Sequence, residues 1–397
     1  MAGTVFCVDI GTSALKAAII DSTGKVLSSF TKEFTEQNTN TAALEWKKTF
    51  IEAAVYFYSN PLLPKTTSVC ISGNGPTLVL QSGLTLLWKE EIKQTTSSLF
   101  LDRLLFLKNN FPDEWKKSTH IFSGPEFLIY QLTDKALTIL PQKEYKNTYW
   151  TKELLLQNSF SHSDIKKLPP FCPPGTFAGT LNKKIRKEIL KKTDSLPQKI
   201  KVYTGAPDFI SALIGTATLF EEKLCDRSGS SEGLNLCTKN AIYSPGIRTL
   251  PSIVNGLWNE SVLITESGSL LKKAKDIFDK KNKSTSSWDY FFESTLNKDC
   301  EEKIIINSLV KKIKDAISLL EKSYGKKINE MTVTGAQAES PLWIKYKAKA
   351  CSIKINIPQE DNAELLGNAI ITFTAQKKFS SLQEAATLMC RIKTSIG

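Results

Sequence analysis

An aspartate followed by a glycine and two hydroxyl residues, Asp9-Ile10-Gly11-Thr12-Ser13, lies near the start of the chain. A phosphate needs a turn of this kind, because backbone N–H groups close on its oxygens only where side chains are small. The Asp9 carboxylate, at a strand end, could hold Mg²⁺ through water, since that ion keeps much of its hydration shell. A second small, hydroxyl-rich turn, Ser228-Gly229-Ser230-Ser231-Glu232-Gly233, stands in the other half of the chain. Two such turns could clamp a polyphosphate from both sides. Gly335-Ala336-Gln337-Ala338 falls between an expected strand and an expected helix, with small residues where a flat nucleoside could lie. Asp208 closes a Gly205-Ala206-Pro207-Asp208 turn at a helix start. There it is either a cap for the first helical N–H groups or a base for a hydroxyl.

Other chemistries fail on spacing. Neither Gly24-Lys25 nor Gly325-Lys326 is followed by Ser or Thr, and Gly73-Asn74-Gly75 lacks a third glycine. The P-loop and the dinucleotide fingerprint are thereby excluded. Gly229-Ser230-Ser231-Glu232-Gly233 matches the nucleophile elbow GxSxG in form, yet a hydrolase of that fold needs its His downstream, and His120 and His162 both lie upstream. Ser13-Ala14-Leu15-Lys16 matches SxxK without the accompanying Lys-Thr-Gly or Ser-Asp-Asn.

The elements that must position these residues are legible from periodicity. Residues 4–10, 15–20 and from 25 onward read as three strands joined by tight turns. Leu44, Phe50, Ile51, Ala54 and Phe57 recur at helical spacing over 43–58. Short strands follow at 67–72 and 77–80, then helices near 100–110 and 124–132. The stretch 140–200 is loop-rich, with Pro169-Pro170 and Pro173-Pro174-Gly175. A strand at 201–204 precedes an apolar helix over 209–220. Short strands over 224–250 open the second half, and 272–303 reads as a polar, Lys-rich, exposed excursion. A helix over 304–320, a strand over 330–334, a helix over 337–349, a strand over 353–357 and a core helix around 365–373 complete it. Strand-rich openings followed by βα alternation in both halves predict two related α/β domains.

Composition narrows the setting. The chain has 397 residues, 41% hydrophobic and 23% charged, which fits two large globular domains and neither a disordered chain nor a fibre. A net charge of +12 is spread among scattered lysines without a dense basic run, so nucleic acid is not an expected partner. The eight cysteines stand singly, with no CxxC, and read as reduced thiols. The N-terminal apolar run is interrupted by Asp9 and is not expected to be a signal peptide; the longest apolar runs are too short to span a bilayer. The expected location is cytoplasmic, with no membrane partner.

In this order the motifs resemble the FGGY family of carbohydrate kinases, within the actin-like ATPase and sugar-kinase superfamily, and most of all its xylulokinase branch. Asp9 to Lys16 is similar to the family's DxGTSxxK hairpin. Residues 104–112 ("LLFLKNNFP") resemble its first signature, with Phe106 where Trp is usual, and 126–133 ("EFLIYQLT") resemble its DYLxYxLT stretch. Residues 205–208 match the turn that carries the family's catalytic Asp, and 228–236 ("SGSSEGLNL") look like the second phosphate hairpin. Residues 335–343 ("GAQAESPLW") resemble the GGxxxSPLW adenosine motif, and 366–386 the closing helices. The chain departs from the family on the substrate side. Gly73-Asn74-Gly75-Pro76-Thr77 replaces a GQMHG-like turn, and Trp88-Lys89-Glu90-Glu91 lacks the Asp and Arg of WxDxR.

The resemblance implies an α/β fold of two duplicated actin-like ATPase (ribonuclease H-like) domains flanking a nucleotide cleft. The first, over 1–213, would carry the sugar side, the first phosphate hairpin and the catalytic Asp. The second, over 214–397, would carry the second phosphate hairpin and the adenosine motif. The implied activity is ATP-dependent phosphorylation of a hydroxyl of a small sugar or polyol, with ATP and Mg²⁺ as cofactors. Asp208 is the implied catalytic base and Asp9 the metal residue. Gly11, Thr12, Ser13, Lys16, Gly229, Ser230 and Ser231 would hold phosphates, and Gly335, Ala336 and Gln337 would border the adenosine. A homodimer is compatible with this reading. The departures also suggest an alternative, a catalytically degenerate homologue that senses nucleotide or sugar.

Overall fold

The computed structural model describes residues 3–229 and 231–397. The β-branched, apolar run Thr4–Ile10 forms β1, buried from Val5 onward, as expected of a central strand covered on both faces. Its hairpin partner β2 (Ala14–Asp21) pairs antiparallel from Thr4↔Asp21 to Ile10↔Leu15, and β3 (Val26–Glu33) extends the meander. On its other side β1 pairs parallel with β4 (Ser68–Gly73), and β4 with β6 (Lys201–Pro207), while β5 (Phe177–Thr180) closes the edge. The sheet order is β5-β6-β4-β1-β2-β3. Helices α1 (Ala42–Tyr58), α2 (Leu101–Asn110) and α3 (Gly124–Thr133) belong to this unit. Trp46, Phe50 and Ala54 of α1 meet Phe6, Val8 and Leu128 in one apolar core. Between α3 and β6 the only helices are short pieces such as Lys183–Leu190, in keeping with the proline-rich sequence there.

The second unit repeats the scheme. Strands β7 (Leu224–Ser228), β8 (Glu232–Thr238), β9 (Arg248–Pro251) and β10 (Trp258–Ile264) are antiparallel neighbours in the order β9-β10-β8-β7. Strand β7 then pairs parallel with β11 (Glu330–Thr334), β11 parallel with β12 (Lys354–Pro358), and β13 (Ile392–Ile396) lies antiparallel at the edge. Three antiparallel strands in the first sheet, and four in the second, are thus followed by two parallel ones. That is the duplicated α/β architecture expected from the sequence.

Helix α4 (Asp208–Gly215) follows β6 and is shorter than the apolar run suggested. Ala217 turns left-handed at φ 54° and ends it. The stretch 272–303 is largely exposed, as expected, but it is helical over most of its length, which corrects the reading of it as an excursion. Helices α5 (Ser267–Asn282) and α6 (Trp288–Thr295) run through it, and Phe291 and Phe292 are buried. Phe292 stacks on Trp343 with ring centroids 5.5 Å apart. The lysines of α5 hid a helix whose apolar share is small and whose partner, α6, buries two adjacent aromatics. Helix α7 (Glu301–Tyr324) buries Ile306, Leu309, Ile313, Ile317 and Leu320 along one stripe, and α8 (Pro341–Cys351) follows β11.

The chain is partitioned as Met1–Ser211 with Glu364–Met389, and Ala212–Ala363 with Cys390–Gly397. The return of α9 (Ala363–Ala375) and α10 (Leu382–Met389) to the first unit is not visible in sequence. Buried Asn368 fixes it: its Nδ2 donates to Val8 O at 2.9 Å and Ser72 Oγ at 2.8 Å, and its Oδ1 accepts from Ser211 Oγ at 3.2 Å. Among the described residues no helix is long and apolar enough to cross a membrane.

Candidate active site

Parallel strands present their carboxyl ends on one side of a sheet, and ligands of α/β folds bind there. In the first unit three parallel neighbours, β1, β4 and β6, end at Ile10, Gly73 and Pro207, with Ile10↔Gly73 and Pro207↔Gly73 in register. Asp9, the 11–13 turn, the 73–77 turn and Asp208 therefore share one end of this sheet. A hollow lined by Thr4, Lys65, Ser68, Lys201 and Gln376 lies at the opposite, amino ends and contains none of the expected site residues.

Asp9 is nearly buried, and its Oδ1 accepts a 2.7 Å hydrogen bond from Ser72 Oγ, which in turn accepts from Asn368. The carboxylate is thus aimed by a relay from the returning helix. Gly11 N donates to Ala14 O at 2.9 Å to close the hairpin, leaving Thr12 and Ser13 exposed at its tip. Lys16 stands opposite Asp9 in the β1–β2 register. Asp208 begins α4, and its Oδ1 accepts from the Phe209 N–H at 2.6 Å.

The substrate-side departures are built into this unit. Asn74 N donates to Ile10 O, and Asn74 Oδ1 accepts from Thr77 Oγ1 at 3.0 Å. Thr77 Oγ1 accepts from Trp88 N at 3.1 Å, and Trp88 Nε1 donates to Thr12 Oγ1 at 3.0 Å. The replaced turn, the replaced Trp-Lys-Glu-Glu segment and the first hairpin are one hydrogen-bonded path. Arg103 of α2 holds that segment from behind, donating to the carbonyls of Leu87, Trp88 and Glu90. Sequence reading missed Trp88 as a contact of Thr12 and missed Arg103. An arginine on an otherwise apolar helix face was the available signal.

In the second unit the parallel pair β7 and β11 ends at Ser228 and Thr334. Gly229 N donates to Ser231 O at 2.9 Å across the expected phosphate turn, and Ser228 Oγ donates to Thr334 O at 3.2 Å. Ser230 lies outside the described residues. Gly335 packs on the Ser228 backbone, Ala336 is exposed beside it, and Gln337 is buried. Gln337 Nε2 donates to Ser267 Oγ at 2.7 Å and, at 3.4 Å, to Gly229 O, while its Oε1 accepts from Trp343 Nε1. The expected adenosine and phosphate segments of this unit are therefore joined side by side. Among the described residues no cluster of three or more His, Cys, Asp or Glu forms a metal site.

Residues 304–376 match the C-terminal domain of the FGGY family of carbohydrate kinases. A xylulose kinase of Staphylococcus xylosus is 21% identical, over 96% of this chain and 92% of its own. The fold is that of two-domain actin-like sugar kinases. The ligand-bound xylulose kinase from Lactobacillus acidophilus superposes with a TM-score of 0.79 at 14% identity, covering 99% of this chain and 93% of that one. The Plasmodium falciparum glycerol kinase with ADP gives 0.74 at 14% identity, covering 100% and 94%. All eight cysteines are free thiols, four of them pushed up to about 12 by burial.

Proposed function

We propose that the protein transfers the γ-phosphoryl group of ATP to a hydroxyl of a small sugar or polyol, as a xylulokinase-like FGGY kinase. The observation that carries this is the gathering of Asp9, the 11–13 hairpin and Asp208 at the carboxyl ends of β1, β4 and β6. The second hairpin and Gly335, at the equivalent strand ends of the other sheet, support it. Asp208 orients the acceptor hydroxyl and takes its proton. The hydroxyl oxygen bonds to the γ-phosphorus as the bond to the bridging oxygen of the β-phosphate breaks, leaving ADP. Thr12, Ser13, Lys16 and the 229–231 turn hold phosphate oxygens. Phosphoryl transfer leaves a protein mainly positioning and charge neutralisation to supply. Mg²⁺ would add neutralising charge at the phosphates, and a single buried carboxylate, Asp9, suits an ion that keeps most of its waters. The Asn74–Thr77–Trp88 path, continuous with the first hairpin, would border the acceptor.

The test is a panel of sugars and polyols assayed for ADP release with MgATP. Stimulation by at least one acceptor is expected. Bound ATP with no stimulation across a broad panel would overturn the reading.

A further inference from the structure

A lysine interrupts the apolar stripe of α8. Trp343, Ile344, Ala348 and Cys351 are buried there, and so, completely, is Lys347. Its Nζ lies 2.6 Å from Asp226 Oδ2 and 2.6 Å from Glu232 Oε1, both also fully buried. Asp226 is on β7 and Glu232 begins β8, so the lysine spans both arms of the hairpin that carries Gly229 and Ser231. The contacts continue into a closed circuit. Glu232 Oε2 accepts from Ser267 Oγ at 2.5 Å, and Ser267 accepts from Gln337. Gln337 reaches the Gly229 carbonyl on one side and Trp343 on the other, and the Lys347 ammonium sits 5.5 Å from the centre of that Trp343 ring.

Such a triad is a poor device for stability alone. Desolvating three charges costs more than packing apolar side chains of the same size, and replacing buried ion triads with hydrophobic residues is often neutral or stabilising. The Asp226 Oδ1 atom has no hydrogen-bond partner among the described residues, so this triad is not even fully satisfied. What the arrangement does supply is directional linkage between a helix and both arms of one turn. Burial works against the ammonium, but Asp226 and Glu232 outweigh it and hold Lys347 charged.

We propose that Lys347 is a positioning residue of the nucleotide site, stapling both arms of the second hairpin to the helix behind Gly335–Gln337 and so setting the shape of the phosphate turn. The proposal rests on the kinase reading above, in which that turn holds phosphate. It touches no phosphate itself. Its loss should weaken nucleotides in proportion to their phosphates and leave the nucleoside nearly untouched.

The experiment compares MgATP and adenosine by titration calorimetry in the full chain and in Lys347→Met. MgATP should weaken by about tenfold, as for residues that shape a site without touching its ligand, with adenosine affinity nearly unchanged. Unchanged MgATP affinity, or an equal loss for both ligands, would overturn the proposal. Lys347→Met strands two buried carboxylates, so a triple variant with Asp226→Asn and Glu232→Gln removes every charge at nearly constant volume. In it the staple is absent and no charge is left uncompensated, so MgATP should remain about tenfold weaker; restored affinity would overturn the staple. If Lys347→Met does not fold, the triple variant is read in its place by the same criteria. A wild-type chain that binds no MgATP would instead sink the kinase reading itself.

Discussion

Gly335 offers a sharp test of how the second unit is assembled. Its backbone sits at φ 95° and ψ −179°, a region open essentially to glycine alone. A Cβ built there would lie 2.3 Å from Ser228 O and 3.0 Å from Ser228 C. Those are backbone atoms at the end of β7, held by pairing of Arg227 with Thr334, so no rotamer change relieves the clash. Gly335→Ala should therefore cost about 1–3 kcal/mol of backbone strain and about 1–3 kcal/mol of overpacking. Gly325 is the control: it caps α7 at φ 77° with nothing within 4 Å of an added Cβ. Gly325→Ala should pay only the left-handed penalty, about 1–2 kcal/mol. The difference, near 3 kcal/mol, corresponds to a melting midpoint roughly 6–12 °C lower for Gly335→Ala in a domain of this size. Differential scanning calorimetry of the two variants side by side measures it. Equal midpoints would refute the close packing of Gly335 on Ser228, and with it the argument that glycine is required there to join the two segments.

Asp208→Asn should lower turnover by about 10²–10⁴-fold, the usual contribution of a general base, while calorimetric MgATP affinity stays near wild type. Near-normal turnover would leave Asp208 as a helix cap, a role Asn fills equally well. MgATP at a hundredfold excess over its dissociation constant should stabilise the fold by about 2.7 kcal/mol, and an unmoved melting midpoint would contradict it. Burial first, then the like charge of Glu232, pushes Asp226 up against the pull of Lys347. Its neighbours Cys225 and Cys351 are pushed up to about 12 and about 11 and stay neutral. A carboxyl that binds its proton more tightly folded than unfolded contributes most below its unfolded value. That contribution declines as pH climbs to the folded value. The melting midpoint should fall as pH rises above the ordinary carboxylate range, and Asp226→Asn should flatten that slope; a slope identical in the variant would discount this group.

Where local chemistry decides structure, the sequence was readable. The β-branched run at 4–10, the glycine turns and the 3.6-residue stripes of α1 and α7 each carry their own signal, and the structure places strands and helices there. What stayed hidden depends on partners distant in the chain. The Trp-Lys-Glu-Glu segment looked stripped of function, yet its order comes from Arg103 on the next helix and from Thr12 far upstream. Phe291 and Phe292 were masked by surrounding lysines until Trp343 gave them a place to pack. Strand β13 is almost wholly exposed, and its place at the sheet edge comes from pairing with β12 rather than from an apolar face. Lys347 was in plain view as a cation on an apolar helix face, but only Asp226 and Glu232 explain it.

The return of α9 to the first unit fixes an order of events during synthesis. Domains ordinarily complete themselves from the N-terminus while the ribosome is still translating. Here β1 and β4 exist early, but Val8 O and Ser72 Oγ receive their hydrogen bonds from Asn368 only after residues 212–363 have been made. The unit that begins first is closed only after most of the other has been made. A nascent chain halted anywhere before α9 would leave the backing of Asp9 unbuilt, so neither a nonsense codon nor a fragment cut at the first crossing yields Asp9 in its hydrogen-bonded setting.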